Sequence, residues 1–138
     1  MGTTFEGPFG ATHFDPRLIR WRKLVGHHDY EKRVEGQYRA IYPALTVEHA
    51  PALEVPVNGK LVYIQPDLLL CLPHGEVLLV AECKCKNKLT AKDVKQAARY
   101  RRILSPKAVV IYHPSRCRVS KKVAALARKR SVQLATFD

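Results

Sequence analysis

The chain has 138 residues and a formal net charge of +12, because 24 lysines and arginines outnumber 12 aspartates and glutamates. This length fits one compact domain and leaves no room for a second full one. The positive surplus attracts polyanions, of which nucleic acid is the usual soluble example. Charge alone does not separate a binding protein from an enzyme.

The hydrophobic pattern argues against a membrane or secreted protein. No apolar run approaches the length needed to span a bilayer, and the first residues lack the basic and apolar regions of a secretion signal. We therefore expect a soluble, intracellular protein, in the cytoplasm of a prokaryotic or virus-infected cell. The four cysteines show no CxxC spacing and lie mostly in apolar runs, which predicts reduced, buried thiols.

Two parts of the chain are predicted. Residues 1–27 form an N-terminal arm with a short basic helix, since Asp15-Pro16 is typical of a helix start and the segment RLIRWRKLV has helical spacing. Residues 28–138 form the domain. It opens with an amphipathic helix that Pro43 ends, and the predicted inward stripe of this helix is Tyr30, Val34, Tyr38 and Ile41.

A β-meander of three strands follows, with the sequences LTVEHAPALEVPV, KLVYIQPDLLLCL and EVLLVAECK. Asn58-Gly59 between the first two is the strongest short hairpin signal, because both residues accept a positive φ. Pro51 and Pro56 indicate that the first run is an edge strand or is broken. The last two runs are apolar almost throughout, so we expect them at the centre of the sheet, covered on both faces.

The second half alternates helices and strands. Thr90 and Asp93 predict a capping box at the start of a helix up to about Leu104, with Val94, Ala97, Ala98 and Ile103 pointing inward. The segments KAVVIYH, SKKVAALARKR and QLATF then predict a buried strand, a short basic helix and a final strand. This order indicates an α/β fold with a mixed central sheet flanked by helices.

One strand pair carries the chemistry. Asp67 lies on the second strand, and Glu82 and Lys84 lie at the end of the third. Strand side chains alternate, so Glu82 and Lys84 point to the same side of the sheet and come near Asp67 across the ladder. A salt-bridged group at the rim of a sheet is the commoner arrangement for such residues. Here, however, the charges interrupt runs suited to a dry interior, where unpaired ionised groups are costly.

A divalent cation offsets that cost. Mg²⁺ prefers carboxylate oxygens and keeps several waters, and Mn²⁺ accepts the same ligands. Such an ion polarises a phosphoryl group and lowers the pKa of a bound water. Lys84 then orients or deprotonates the attacking water, or neutralises charge in the transition state. The pattern therefore predicts a Mg²⁺- or Mn²⁺-dependent hydrolysis of phosphodiester bonds.

Pro66-Asp67 followed by Glu82-Cys83-Lys84 resembles the signature of the PD-(D/E)XK nuclease superfamily. The resemblance implies a restriction-endonuclease-like sandwich with an αβββαβ core plus a final helix and strand. It adds to the predicted metal site the backbone carbonyl of Cys83 and an acidic residue of the first helix. That acid is Glu31 or Glu35, and Tyr30-Glu31-Lys32-Arg33-Val34 resembles the phage junction-resolving type, which favours Glu31.

The resemblance extends to substrate and partners. Small size and high charge are similar to the Holliday-junction resolvases of archaea and phages, which implies a homodimer that cuts branched DNA. Gln96 and Tyr100 match the QxxxY motif of the RecB-like branch, which favours instead an exonuclease or a restriction-like enzyme. In that motif the glutamine amide contacts the active-site lysine or a DNA phosphate.

Cations after the catalytic strand and around the last helix predict a phosphate-contacting rim with salt-sensitive binding. The residues expected to bind nucleic acid are Lys86, Lys88, Lys92, Arg99, Tyr100, Arg116 and Lys121. Nothing among them resembles a base-reading motif, which favours recognition of DNA shape over sequence. A binding protein with a vestigial nuclease fold and an RNase of similar fold stay open as alternatives.

Overall fold

A computed structural model describes residues 28–138, which form three helices and seven strands. The predicted arm and basic helix of residues 1–27 lie outside the described residues. The helices are α1 (His28–Ile41), α2 (Ala91–Leu104) and α3 (Lys121–Lys129). The strands are β1 (Thr46–His49), β2 (Leu53–Val57), β3 (Lys60–Ile64), β4 (Leu68–Cys71), β5 (Val77–Cys83), β6 (Ala108–His113) and β7 (Gln133–Thr136).

Helix α1 buries Tyr30, Val34 and Tyr38 as predicted. The prediction for Ile41 was wrong, because its side chain is 60% exposed. Ile41 is the last residue of α1 and lies beyond the part of the helix that the sheet covers. The buried stripe of α1 therefore ends at Tyr38, although the sequence pattern continues to Ile41.

The capping box predicted for α2 is confirmed. The Thr90 hydroxyl accepts a hydrogen bond from the Asp93 amide, and the Asp93 carboxylate accepts one from the Thr90 amide. Val94 and Ala97 are fully buried, and Ala98 and Ile103 are partly buried against the same core. Ser120 caps α3 in the same way, by accepting from the amide of Val123. Side-chain acceptors thus fix where both helices begin.

The meander was predicted as three strands but contains five. Ala50 has a φ of +49° and precedes Pro51, so the first run breaks into β1 and β2. Pro66 has no amide hydrogen for the ladder, and the second run breaks into β3 and β4 on either side of it. The Asn58-Gly59 turn itself is confirmed, with positive φ at both residues.

Five of the strands form a mixed sheet in the order β1-β4-β5-β6-β7. Pairings on the β1 side of β5 are antiparallel, and those on the β7 side are parallel. The parallel strands are joined through α2 and α3, as their crossover requires. Strands β2 and β3 form a separate two-stranded sheet. The predicted α/β class and mixed sheet with β4 and β5 inside it are confirmed.

Two hydrophobic clusters cover the faces of this sheet. The first lies under α1 and contains Tyr30, Val34, Leu68 and Ala81. The second lies under α2 and α3 and also receives the β2–β3 hairpin. Of the cysteines, Cys71, Cys83 and Cys117 are buried, Cys85 is half-buried, and all are free thiols. Within residues 28–138, no helix is both long and apolar enough to cross a bilayer.

Candidate active site

Asp67 and Glu82 meet at the end of the β4–β5 ladder. Leu68 pairs with Ala81, so Asp67 and Glu82 occupy the next position of that register. The Asp67 amide donates to Glu82 Oε2 at 2.7 Å, and the Cys83 amide donates to Asp67 Oδ2 at 2.7 Å. Their exposures are only 2% and 1%. Each carboxylate is therefore held by the backbone of the neighbouring strand, inside the protein.

Lys84 lies on the same side of the sheet as Glu82, as predicted. Ala81 and Cys83 pack in the cluster under α1, and alternation turns Glu82 and Lys84 toward α2. Lys84 Nζ donates to Gln96 Oε1 on α2 at 3.0 Å and lies 3.9 Å from Asp93 Oδ1. The ammonium is thus held between the end of β5 and the first turns of α2.

The two residues of the QxxxY motif have different environments. Gln96 is exposed and contacts Lys84, as the motif implies. Tyr100 is 5% exposed, and its hydroxyl donates to the backbone oxygen of Gln65. Burial raises the pKa of Tyr100, and the charges of Glu82 and Asp67 raise it further. The expected place of Tyr100 on a DNA-binding surface was wrong, because its ring fills the core beside both carboxylates.

Asp93 also belongs to this site, although its sequence pattern predicts only a helix cap. It is 7% exposed, and Oδ2 accepts from Lys86 Nζ at 2.7 Å. Burial on its own raises the pKa of Asp93, but the hydrogen bonds from Lys86 and the Thr90 amide outweigh burial and lower it. One ionised carboxylate therefore anchors both the start of α2 and the lysines that follow β5.

The two candidate acids of α1 differ in burial and in partner. Glu31 is 2% exposed, and its Oε1 lies 2.8 Å from His49 Nε2 on β1. Glu35 accepts from the exposed Arg39 at 2.7 Å and lies 3.8 Å from His49 Nδ1. The residue after His49, Ala50, donates its amide to the Asp67 backbone oxygen at 2.7 Å. His49, which no sequence signal singled out, therefore links α1 to β1, the strand that pairs with β4 next to Asp67.

No family model and no curated protein matches this chain. Among solved structures, the chain is similar to the crystal structure of protein VC1899 from Vibrio cholerae, with a TM-score of 0.58 and 12% sequence identity. The match covers 77% of this chain and 29% of that chain, so the present chain spans under a third of that protein's length. At this identity the likeness concerns the fold alone.

A divalent cation suits the donor atoms that meet here. Among residues 28–138, no three histidine, cysteine, aspartate or glutamate side chains are grouped closely enough to hold a metal ion, so Glu31 does not join Asp67 and Glu82 in such a group. Mg²⁺ commonly takes only one or two carboxylates and keeps waters for its other positions. Asp67 and Glu82 fit that pattern. Cys83, whose carbonyl was the further predicted ligand, is the last residue of β5.

The predicted nucleic-acid-binding cations lie around α2 and α3. Lys86 is held by Asp93, and Arg116 donates to Asn87 Oδ1 at 2.7 Å. Of the other predicted cations, Lys88, Lys92, Arg99 and Lys121 are exposed. Helices α2 and α3, with the segments that precede them, therefore present a positive surface.

Proposed function

We propose that this protein is a metal-dependent nuclease of the PD-(D/E)XK type, with a restriction-endonuclease-like sandwich, that hydrolyses phosphodiester bonds in DNA. One observation carries the proposal. Two buried carboxylates, Asp67 and Glu82, are tied to each other's strand by backbone amides, and Lys84 lies on the same side two residues after Glu82. A purely structural role has no need to bury two carboxylates together and to hold a half-buried ammonium on the same side of the sheet.

The side chains of the site have different roles in this reaction. Asp67 and Glu82 supply the oxygens that hold Mg²⁺ or Mn²⁺, together with the carbonyl of Cys83. When bound, the ion polarises the scissile phosphate and activates a water for attack. Lys84 places its ammonium where the attacking water and the developing negative charge lie. Gln96 holds Lys84 in that position through the contact at 3.0 Å.

The proposed substrate is branched DNA, cut by a homodimer in the manner of small Holliday-junction resolvases. The size of the chain, its charge of +12 and the exposed cations of α2 and α3 support this choice. Two symmetric active sites match the two strands that must be cut in a four-way junction. Glu31 is the preferred acid of α1, because it is buried and contacts His49 on β1, and the next residue, Ala50, donates its amide to the Asp67 backbone oxygen.

An exonuclease of the RecB-like branch is the second candidate. The contact between Gln96 and Lys84 favours it, since that branch uses the glutamine of its QxxxY motif next to the active-site lysine. This candidate differs from the first in substrate, because an exonuclease needs a free end and a junction resolvase does not.

Cleavage assays test the proposal. The wild type, Asp67→Asn and the control Glu76→Gln are incubated with Mg²⁺ or Mn²⁺ and labelled four-way junctions, linear duplex, single strands and RNA. We expect metal-dependent cutting by wild type and control and loss of cutting in Asp67→Asn. Cutting of closed junctions favours the resolvase, and release of mononucleotides from ends favours the exonuclease. Binding without cutting by the wild type with both metals would contradict a nuclease, and preferential cutting of RNA would contradict DNA as substrate.

A further inference from the structure

An open groove of about 680 Å³ lies between the N-terminal part of α2 and one face of α3. Its walls contain the apolar side chains of Leu89, Val123 and Leu126, of which the first two belong to the core under these helices. Among the described residues that line the groove, none is acidic. The lysines on its rim are Lys88, Lys95, Lys122 and Lys129.

These four lysines differ from the lysines of the candidate active site. Lys84 and Lys86 both lie within ion-pair distance of Asp93, whereas the lysines of the groove are exposed and make no ion pair with residues 28–138. Four like charges around one cavity repel one another, and an anionic occupant relieves that repulsion. The charge pattern therefore fits a ligand with several negative charges.

The groove adjoins the segments that lead into α2 and α3. A second hollow of about 420 Å³ shares Lys88 and Ser120 with it and adds Arg118. The segments before α2 and α3 are joined here, because the Leu89 amide donates to the Arg118 oxygen at 2.9 Å. Only three residues separate Lys88 from Lys84 along the chain. The groove therefore begins at the segment that follows Lys84 of the candidate active site.

The apolar walls decide what kind of polyanion fits. A duplex presents mainly sugars and phosphates to a groove, whereas a single strand also presents unstacked bases that can bury apolar surface. Both helix caps, Thr90 and Ser120, line the groove, and the positive ends of α2 and α3 add to the attraction for phosphate.

We infer that the groove between α2 and α3 binds a single-stranded segment of the nucleic acid, with its phosphates on the four lysines and a base against Leu126 and the exposed Ala91 and Ala125. The inference rests on the proposed function and deepens it, because it names the part of the substrate that this surface takes. The preferred DNA is then a branched molecule that has a single-stranded segment near its branch point.

Binding measured without divalent metal tests the groove independently of catalysis. Fluorescence anisotropy of a 20-nucleotide oligo(dT) and of a 20-base-pair duplex is recorded in EDTA for Lys95→Gln/Lys122→Gln and for the wild type. At 0.1 M salt, loss of two phosphate contacts weakens single-strand binding about 25-fold and reduces the slope of log K against log salt by about 1.4. Duplex binding stays within about twofold of wild type.

Two further variants keep the result interpretable. Lys60→Gln/Lys107→Gln removes the same charge from residues that do not line the groove, and it should bind as wild type. Ala125→Glu places a carboxylate in the groove at an exposed helix position and should also weaken single-strand binding. Thermal melting establishes that each variant is folded. Equal losses for both lysine pairs, equal losses for duplex and single strand, or wild-type binding by both groove variants would overturn the inference.

The outcomes separate this inference from the proposed function. If the groove variants lose single-strand binding while the wild type cuts nothing with Mg²⁺ or Mn²⁺, the groove inference stands and the nuclease proposal fails. If the wild type cuts DNA and the groove variants bind and cut as it does, the nuclease proposal stands and the groove inference fails.

Discussion

Two pairs of carboxylates near the sheet are held by different kinds of partner. Asp67 and Glu82 accept hydrogen bonds from backbone amides of each other's strand. Glu31 instead contacts the His49 ring, and Glu35 pairs with the exposed Arg39. Backbone amides in a sheet have fixed directions, whereas imidazole and guanidinium groups rotate about several bonds.

The difference indicates which part of the site is fixed by the fold. The ladder between β4 and β5 sets the position of Asp67 and Glu82, so the backbone of the sheet fixes where their oxygens lie. The acid of α1 depends on side-chain partners that a mutation or a ligand can replace. We expect the two pairs to differ in function as they differ in structure.

Neutralising a carboxylate of the strand pair should have the largest effect. If Glu82 holds the cation, Glu82→Gln lowers the cleavage rate about 10³-fold, equivalent to about 4 kcal/mol of transition-state stabilisation. The matched change Glu35→Gln on α1 leaves the rate within about twofold, because Glu35 is paired at the surface. Single-turnover cleavage at saturating Mg²⁺ measures both. Equal losses in the two variants would show that the pairs do not differ in function.

Truncating the acids of α1 should affect stability unequally. Glu31→Ala leaves the His49 ring without its buried charged partner and should lower the free energy of unfolding by about 2 kcal/mol. Glu35→Ala removes a surface i,i+4 pair with Arg39 and should cost about 0.4 kcal/mol. Urea denaturation at neutral pH compares them. If both variants unfold at the same urea concentration, the buried contact of Glu31 stabilises the fold no more than the surface pair of Glu35 does.

Asp93 gives a smaller effect with a defined pH dependence. Its pKa is lowered in the folded protein from an ordinary value of 3.8. The carboxylate therefore stabilises the fold above about pH 4, and this contribution disappears as the pH falls through the lowered pKa. Asp93→Asn should be less stable than wild type by about 1 kcal/mol at pH 7, and the difference should shrink below pH 4. A difference that grows on acidification would contradict this assignment.

The strand pair could be predicted from the sequence because it depends on local rules. The Pro73-His74-Gly75 turn brings two apolar runs together, and alternation then puts Glu82 and Lys84 on one side. Asp67 follows from the same register. The Thr90–Asp93 capping box and the Asn58-Gly59 turn are equally local, and the structure contains both.

Features that depend on distant packing were missed. Glu31 and His49 are 18 positions apart in the sequence. The hydrophobic periodicity of neither segment predicts their contact. Asp93 reaches Lys86 only because the start of α2 lies beside the segment after β5. Strands β2 and β3 form a sheet of their own, and their apolar side packs against the core under α2. The Asn58-Gly59 turn predicts the hairpin but not which part of the protein it packs against.

Tyr100 is a different case, because its signal was present. Val94, Ala97, Tyr100 and Leu104 repeat at steps of three and four, and all are buried. The stripe predicts that Tyr100 points inward, whereas the QxxxY motif led to the prediction that Tyr100 contacts DNA. Hydrophobic periodicity was the better guide to its position, since the burial of a large aromatic side chain outweighs one contact at the surface.

Gln96 on α2 should give the smallest effect, and it contacts Lys84, which follows the strand pair. It is exposed, and its hydrogen bond to Lys84 competes with water, so Gln96→Ala should lower the single-turnover cleavage rate only about threefold, or about 0.6 kcal/mol. Binding of DNA should not change, because Gln96 positions the lysine rather than the substrate. Lys92→Ala is the control, because Lys92 is an exposed residue of the same helix. If Lys92 binds phosphate, this variant has a lower affinity for DNA and an unchanged single-turnover cleavage rate. If Gln96→Ala weakens binding and spares the cleavage rate, its amide contacts DNA instead of holding Lys84 in place.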